Sequence, residues 1–353
     1  MKILHIISSL EIGGAQRLLS DILPLLAKDN QVALLVNKEV DNNFTHRVKD
    51  GGVDILSLNL PNLYSIKNLI ALRKAMRGYD VVHVHLFPSI YWAAMASLFC
   101  KARLVYTEHS TSNKRRGKWY LRPIEWFIYS RYKRIISISE QTQKTLMNWL
   151  GAHEGDKRFV VVNNGTNLSA FQEVRREKIY PHSLIMVSRF AASKDQKTVI
   201  RALALLTEDV HVIFVGDGER FEECKAEAEK LGVSGRTHFV GRQADVASWL
   251  RKADIGIQSS NWEGFGLTAV EMMADGLPVI ATNVDGLKQV IEGAGLLFPV
   301  GDEKVLAGHV ERLISDGDFY KKLSEASKAK ASLYDISKTA EQYMKIYKEI
   351  VGQ

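Results

Sequence analysis

Only two cysteines, Cys100 and Cys224, occur in the 353 residues, far apart and without a CxxC pair or a Cys/His cluster. A disulfide framework and a structural zinc are thereby excluded, and a reducing cytoplasm suits the chain. No apolar run reaches the length of about 18 residues that a membrane-spanning helix needs. The opening Met1-Lys2-Ile3-Leu4-His5-Ile6-Ile7 is too short for a signal sequence and leads straight into a Gly-Gly turn. Short-period repeats and low-complexity tracts are missing, and the charged and apolar fractions of 25% and 46% are those of an ordinary globular protein. One segment is short of acid. Between Asn113 and Arg134, Glu125 alone opposes Lys114, Arg115, Arg116, Lys118, Arg122, Arg131, Lys133 and Arg134, interleaved with Trp119, Tyr120, Trp126, Phe127, Tyr129 and Tyr132. Much of the net charge of +7 sits there. Basic heads among aromatic bodies are the composition of a surface that lies on anionic lipid, so 113–134 is expected to contact an anionic membrane surface. No nucleic-acid partner is expected. The plainer reading of 113–134 is a solvated helix whose aromatics belong to the core.

What is present in quantity is alternation. Apolar, β-branched runs recur between helical patterns from end to end, seven from Ile3–Ile7 to Phe159–Val162 and six from Leu184–Val187 to Leu296–Phe298. Repeated βα units imply parallel sheets covered by helices on both faces. Thirteen strands are too many for one small open sheet, which leaves two doubly wound domains or a single β/α barrel. The run Asn163-Asn164-Gly165-Thr166-Asn167, followed by a charged stretch through Arg175, Arg176, Glu177 and Lys178 to Pro181, interrupts the rhythm at mid-chain as a linker would, and favours two domains. The helical segments Asp302 to Ser332 and Ser337 to Gln353 have no strand after them.

The most informative stretch runs from Gln258 to Glu271. A strand-like segment, Ala253 to Ile257, precedes it; Gly264 and Gly266 free the backbone; a helix-like segment then ends near Asp275-Gly276-Leu277-Pro278. Such a layout presents bare N–H groups at a helix N-terminus, where anions bind. Glu263 lies in the loop and Glu271 about one turn into the helix, and because helical side chains lean toward the N-terminus both can face one ligand. A phosphate held between two polyhydroxyl groups suits these features, and a nucleotide-sugar is such a ligand. The plain alternative is a strand-loop-helix with Glu271 complementing the helix dipole.

Glu263 and Glu271 with seven residues between, Gly264-Phe265-Gly266-Leu267 inside, and the following Gly276-Leu277-Pro278-Val279-Ile280-Ala281-Thr282 strand resemble the donor-binding signature of retaining GT-B glycosyltransferases of the family-4 type. The resemblance covers nearly the whole chain. It implies an α/β fold of two facing doubly wound, Rossmann-like domains with a cleft between them. Residues 1–165 would bind acceptor, with the helix 336–353 packing back on them, and 166–335 would bind the nucleotide-sugar donor. The implied activity is retaining transfer of a hexose from a nucleoside-diphosphate sugar to a hydroxyl of a saccharide or lipid-linked saccharide, in cell-surface polysaccharide synthesis. No cofactor and no metal are implied, and the place of action is the inner face of the plasma membrane. The Asn163–Asn167 turn matches the family's crossover, although relatives usually carry Asp where Asn167 stands, so no role is carried over to it.

Other candidates are weaker alone. Gly13-Gly14-Ala15-Gln16-Arg17 follows the first strand, is not GxGxxG and has no partner acid for a dinucleotide ribose; by itself it reads as a tight βα turn that lets Gly14 approach a ligand. The resemblance places it against the donor diphosphate or the acceptor. Arg189 and Lys194, after the first strand of the second half, match the family's diphosphate clamp, and from sequence both reach the site from one wall. His83 and His85 alternate on a strand and point to one side; without a carboxylate cluster they read as core histidines sooner than as metal ligands. His109, otherwise a loop or capping histidine, matches a position that touches the transferred sugar, where it would orient the hexose or accept the acceptor's proton. Gly216-Asp217-Gly218-Glu219 reads as a βα loop lining the donor site, with Glu219 a helix-terminal charge. Gly241-Arg242 sits where relatives bracket the nucleobase, and Ser139-Glu140 reads as a helix cap. The implied catalytic set is His109, Arg189, Lys194 and Glu263; the implied donor-binding set is Gly14, Gly216, Gly241, Arg242, Phe265, Gly266, Leu267 and Glu271. Two rival functions remain open at this level: a sugar-nucleotide epimerase of similar fold, and a non-catalytic nucleotide-sugar-binding subunit.

Overall fold

The computed structural model describes residues 1–11, 13–60, 62, 64–111, 115–171 and 177–352. Asn113, Lys114, Arg175, Arg176 and Gln353, named above, lie outside the described residues. The chain divides into two compact units, Met1–Gly165 with Ile336–Gln353, and Thr166–Asp335. In the first unit the strands are β1 (Lys2–Ile7), β2 (Gln31–Val36), β3 (Asp54–Ser57), β4 (Val81–His85), β5 (Arg103–Glu108), β6 (Arg134–Ser137) and β7 (Phe159–Val161). The second unit carries β8 (His182–Val187), β9 (Val210–Val215), β10 (Thr237–Phe239), β11 (Ile255–Gln258), β12 (Val279–Thr282) and β13 (Leu296–Phe298). These are the thirteen runs expected from the hydrophobic pattern, with ends displaced by a residue or two. The barrel is excluded: the strands form a 7-stranded sheet, β3-β2-β1-β4-β5-β6-β7, and a separate 6-stranded sheet, β10-β9-β8-β11-β12-β13.

Every strand pairing is parallel, and the central strands are covered on both faces. That is why the runs Val32–Val36 of β2 and Leu184–Val187 of β8 are continuously apolar instead of alternating, while β4 alternates buried valine with buried histidine. Helices fill the crossovers. Asn42, Ser139, Asp195, Asp245, Asp302 and Asp316 each accept a hydrogen bond from an amide three residues on, and so start their helices at fixed positions. The helix Ile336–Val351 belongs to the first unit, where Ile336, Ala340, Tyr343, Ile346 and Tyr347 share a core with Leu18, Leu19, Ile22 and Leu23 of the helix Gly14–Ala27. No helix among the described residues is long and apolar enough to cross a membrane.

The strand order positions the chemistry. In the first sheet β1 lies between β2 and β4, and in the second β8 lies between β9 and β11. Successive crossovers leave these central strands in opposite directions, so the loops beyond their carboxyl ends part there and ligands bind in the gap. Gly13-Gly14 follow β1, and Arg189 to Lys194 follow β8. The loop from Ser259 to Gly266 follows β11.

Candidate functional site

Beyond the β8/β11 junction the two loops are joined backbone to backbone. The Asp195 amide donates to the Ser259 carbonyl at 3.1 Å, the Asn261 amide to Ser193 at 2.9 Å, and the Asn261 side chain to the Ala192 carbonyl at 2.9 Å. This zipper delivers Lys194 to Glu263. Its ammonium pairs with Glu263 Oε2 and donates to Ser260 Oγ at 3.3 Å, while Glu263 Oε1 accepts from the Gly264 amide at 3.1 Å. Both side chains of the ion pair are mostly covered, so the pair is screened less than a surface one. The Lys194–Ser260 contact spans 66 positions and has no local signal in the sequence.

Past Glu263 the chain turns at Gly266, whose φ of 89° is left-handed and which lies so close to Leu287 that an added Cβ would stand 2.4 Å from its Cδ2. Only glycine fits there. The helix Leu267–Ala274 begins at this turn, and its ladder opens with Ala269 and Val270 donating to the Gly266 carbonyl, which leaves the Leu267 and Thr268 amides outside the ladder. Phe265 is buried edge-on against Tyr334, with ring centroids 5.3 Å apart, and anchors the loop from below. Glu271 is buried one turn into the helix and accepts from Thr166 Oγ1 at 3.3 Å. The two carboxylates therefore have different protein partners, Lys194 for one and Thr166 for the other. Thr166 stands in the Asn-Gly-Thr turn that the sequence marks as a crossover; its contact with Glu271 spans 105 positions and has no local signal.

Arg189 does not share Lys194's partners. Its guanidinium reaches Glu219 Oε2 at 3.2 Å, with the Arg189 side chain 72% exposed. Glu219, read above as a helix-terminal charge, is thus also the partner of Arg189. The backbone beneath is anchored by packing: Phe190 is buried among Phe214, Phe221 and Phe239, and its amide donates to the Asp217 carbonyl at 3.0 Å. Gly216 and Gly241 line this same edge, the Gly216 amide donating to the Gly241 carbonyl at 2.8 Å. At Gly216 a Cβ would stand 2.0 Å from the Ser188 carbonyl oxygen. Arg242 beside them is exposed.

In the first unit, Gly14 opens its helix exposed, with no atom within 4 Å of where a Cβ would stand. His109 follows β5 and joins a continuous series of polar contacts. His109 Nε2 lies 3.0 Å from His85 Nδ1, and His85 Nε2 lies 3.1 Å from His5 Nδ1. His5 Nε2 lies 3.4 Å from the Tyr347 hydroxyl, which also contacts His83 Nδ1. His83 Nε2 lies 2.7 Å from Thr107 Oγ1, itself 3.3 Å from the Tyr343 hydroxyl. Burial lowers the pKa of His5 and of His109 to about 3. His83 and His85 are also pushed well below the usual imidazole range, by burial first and by neighbouring imidazoles second. His83 and His85 do share a side of the sheet. The third member, His5, stands in register with His83 on the adjacent strand, a parity that β1 shows only once its pairing is known.

The basic segment is partly turned inward. Arg115 pairs with Glu125 at 2.7 Å and stacks over Phe87 at 4.2 Å, and Arg116 pairs with Glu108 at 2.6 Å. Glu125 is fully buried and also accepts from Tyr91 and Trp149, both at 2.7 Å. Burial raises the pKa of Glu108, and Arg116 pulls the other way. Arg115 and Arg116 are therefore spent on buried acids and do not face lipid. Tyr129 and Tyr132 are core residues, whereas Trp119 is 82% and Trp126 60% exposed, with Tyr120, Ile124 and Phe127 exposed beside them.

The family model for glycosyl transferases group 1 matches residues 171–330, and that for glycosyltransferase family 4 matches 12–170. EpsD of Bacillus subtilis, a glycosyltransferase by name, is 26% identical over 298 residues, 76% of each chain. The GalNAc-alpha-(1->4)-GalNAc-alpha-(1->3)-diNAcBac-PP-undecaprenol alpha-1,4-N-acetyl-D-galactosaminyltransferase of Campylobacter jejuni is 24% identical over 370 residues, 99% of each. Among solved structures, HepE of Anabaena in complex with UDP and glucose has a TM-score of 0.83 at 22% identity, covering 98% of this chain and 99% of that one. At that identity the likeness is one of fold.

Proposed function

The chain belongs to the group 1, family-4-type glycosyltransferases and has their GT-B fold, and on that premise we propose that it moves a hexose from a nucleoside-diphosphate sugar to a hydroxyl of a saccharide or lipid-linked saccharide, with retention and without a metal. The observation that carries this reading is the Lys194–Glu263 pair set beside the start of the helix Leu267–Ala274, at the β8/β11 switch point. An ammonium and unladdered amides suit a diphosphate, and a carboxylate held next to them suits sugar hydroxyls. HepE, the fold relative, is bound to UDP and glucose, which supports a donor of this class.

In the proposed complex the diphosphate lies on Lys194 and the Gly266–Thr268 turn, Glu263 holds the hexose, Glu271 the ribose, and Gly216, Gly241 and Arg242 the base. Arg189 leaves Glu219 for the diphosphate at little cost, because an exposed ion pair is worth about 0–1 kcal/mol. Transfer breaks the bond from the anomeric carbon to the diphosphate oxygen and forms one to the acceptor oxygen on the same face. The acceptor's proton passes to the departing phosphate. Unit Met1–Gly165 takes the acceptor, with Gly14 leaving room for it and His109 meeting the transferred sugar. The undecaprenol-linked substrate in the Campylobacter relative's name supports a lipid-linked acceptor and a role in cell-surface glycan synthesis.

Binding measurements test the division of labour. A carboxylate accepting sugar hydroxyls contributes on the order of 1.5–3 kcal/mol, or roughly ten- to a hundredfold in affinity. Calorimetry should show Glu271→Ala weakening both nucleoside diphosphate and nucleotide-sugar, and Glu263→Ala weakening only the sugar-bearing ligand. Equal loss of both ligands in Glu263→Ala rejects the assignment. Release of nucleoside diphosphate in step with glycoside formation separates transfer from epimerisation.

The membrane contact is proposed for the exposed aromatics, with Lys118, Arg122, Arg131 and Lys133 around them on the solvent side. Replacing Trp119 and Trp126 by Ser should release the folded protein from vesicles containing phosphatidylglycerol. Retention on the vesicles would remove this segment as the anchor.

A further inference from the structure

The contacts behind His109 have a direction. A neutral imidazole offers one N–H and one lone pair, so a ring with a partner at each nitrogen must receive at one and donate at the other. His5, His83 and His85 are such rings, and burial keeps all of them neutral. Tyr347 and Thr107, each a hydroxyl with one hydrogen and two neighbours, either receive from one and donate to the other or receive from both and leave their own hydrogen out of the series. Only two arrangements satisfy every link and also spend the hydrogens of both Thr107 and Tyr347 within the series. Either all hydrogens point from Tyr343 toward His109, or all point from His109 toward Tyr343.

The ends decide between them. Tyr343 is buried, and among the described residues the one hydrogen-bond partner of its hydroxyl is Thr107 Oγ1. If the series ran inward, Thr107 would use its hydrogen on the Tyr343 oxygen and the Tyr343 hydrogen would be left unpaired in the core. His109 Nδ1, covered and without a partner among the described residues, would be orphaned as well. Run outward, Tyr343 donates to Thr107, Thr107 to His83 Nε2, His83 Nδ1 to Tyr347, Tyr347 to His5 Nε2, His5 Nδ1 to His85 Nε2 and His85 Nδ1 to His109 Nε2. One hydrogen is then left over, on His109 Nδ1, where a ligand can accept it. Unpaired buried polar groups are costly; the inward arrangement leaves two and the outward arrangement one, which a ligand can meet, so the outward arrangement is favoured.

We propose that these side chains form a polarised hydrogen-bond wire, with Tyr343 as its source, that fixes His109 as a donor through Nδ1–H toward a carbohydrate oxygen. His109 then orients the sugar and is not a base; His5, His83, His85, Thr107, Tyr343 and Tyr347 are positioning residues. The carbohydrate as ligand rests on the function proposed above, and the polarity of the wire does not. A metal is the competing use of the cluster, since one nitrogen each of His5, His83 and His85 lie within 4.8 Å of one another. The rings argue against it: His5 and His85 are stacked at 11° and His83 and His85 at 30°, and the nitrogens meet in hydrogen-bonded pairs instead of converging on one point.

The test is to label the full-length protein with nitrogen-15 histidine and record long-range proton–nitrogen correlations, which show the ring nitrogen that carries hydrogen. His5, His83, His85 and His109 should all be Nδ1–H tautomers. Nε2–H at any of the four overturns the wire, as does a zinc titration of the chelator-treated protein that displaces their N–H signals together. Tyr347→Phe, folded by its remaining spectrum, should turn His5, His85 and His109 into mixtures of both tautomers; three unchanged tautomers would show that polarity does not pass through Tyr347. On adding UDP-glucose, the His109 Nδ1–H signal should move and exchange more slowly. Bound UDP-glucose with that signal unmoved overturns the donor role. If no nucleotide-sugar binds while all four tautomers are as stated, the transferase reading fails and the wire stands.

Discussion

Lys194→Ala lowers turnover by on the order of a hundred- to a thousandfold while raising the Michaelis constant far less, the loss expected when one preorganised donor to a developing charge is removed. Breaking the anomeric bond concentrates negative charge on the departing diphosphate oxygen. In the proposed complex the cation that meets it is Lys194, held at the carboxyl end of β8 by the zipper to the β11 loop. Before reaction its charge is balanced by Glu263, so the ammonium is already fixed in position and little reorganisation accompanies the step. Steady-state kinetics with the native donor, with and without chelator, is the measurement. Because the substitution also leaves the mostly covered Glu263 without its cation, it should be made at a temperature where near-ultraviolet circular dichroism shows the variant folded. Near-normal turnover in that variant, or native activity abolished by chelator, would sink a metal-free role for Lys194.

The difference between Lys194 and Arg189 shows where a linear reading loses its grip. Their spacing on one loop is visible in the chain, and so is the βα rhythm that puts the loop at a strand end, because both depend on neighbours a few residues apart. Partner choice is not visible. Whether a cation turns toward Glu263 or Glu219 depends on loops brought together by sheet order, and sheet order is a long-range property. The basic segment makes the same point in reverse. Its composition is evident, but Glu108 and Glu125 claim Arg116 and Arg115 from within the core, and the surface keeps the exposed aromatics with Lys118, Arg122, Arg131 and Lys133 around them. The histidine wire is the furthest case. His83 and His85 announce themselves by alternation, whereas His5, Thr107, Tyr343 and Tyr347 join them only through strand register and the packing of the last helix.

That wire makes the first unit acid-labile well above the pH at which carboxylates titrate. His5 has its pKa lowered by burial from 6.5 to about 3 in the folded protein, while the unfolded chain keeps an ordinary imidazole. Between those values the unfolded state binds the extra proton, so stability rises with pH; the contribution is whole above about 6.5 and is lost as pH falls toward 3. One imidazole changes stability by about 1.4 kcal/mol per pH unit, so His5 alone should remove about 2 kcal/mol between pH 6.5 and 5. His109, His83 and His85 shift in the same direction. Glu108, whose pKa is raised by burial, works against them by favouring the folded state in acid. His5 and His109, each lowered to about 3, together leave a loss of several kcal/mol, a large share of the roughly 5–15 kcal/mol that a folded protein has in total. There is a structural reason for the steepness as well: an imidazolium has two N–H groups and no lone pair, so protonation anywhere in the series breaks a link. Urea unfolding at pH 7.5, 6.5, 5.5 and 5, followed by a probe in the first unit, should therefore show midpoints that are level above pH 6.5 and drop sharply below it. His5→Gln should lose overall stability yet show a shallower drop, since it removes one of the protons taken up on unfolding. A native midpoint that stays level down to pH 5 would mean that these imidazoles are not held neutral by the fold.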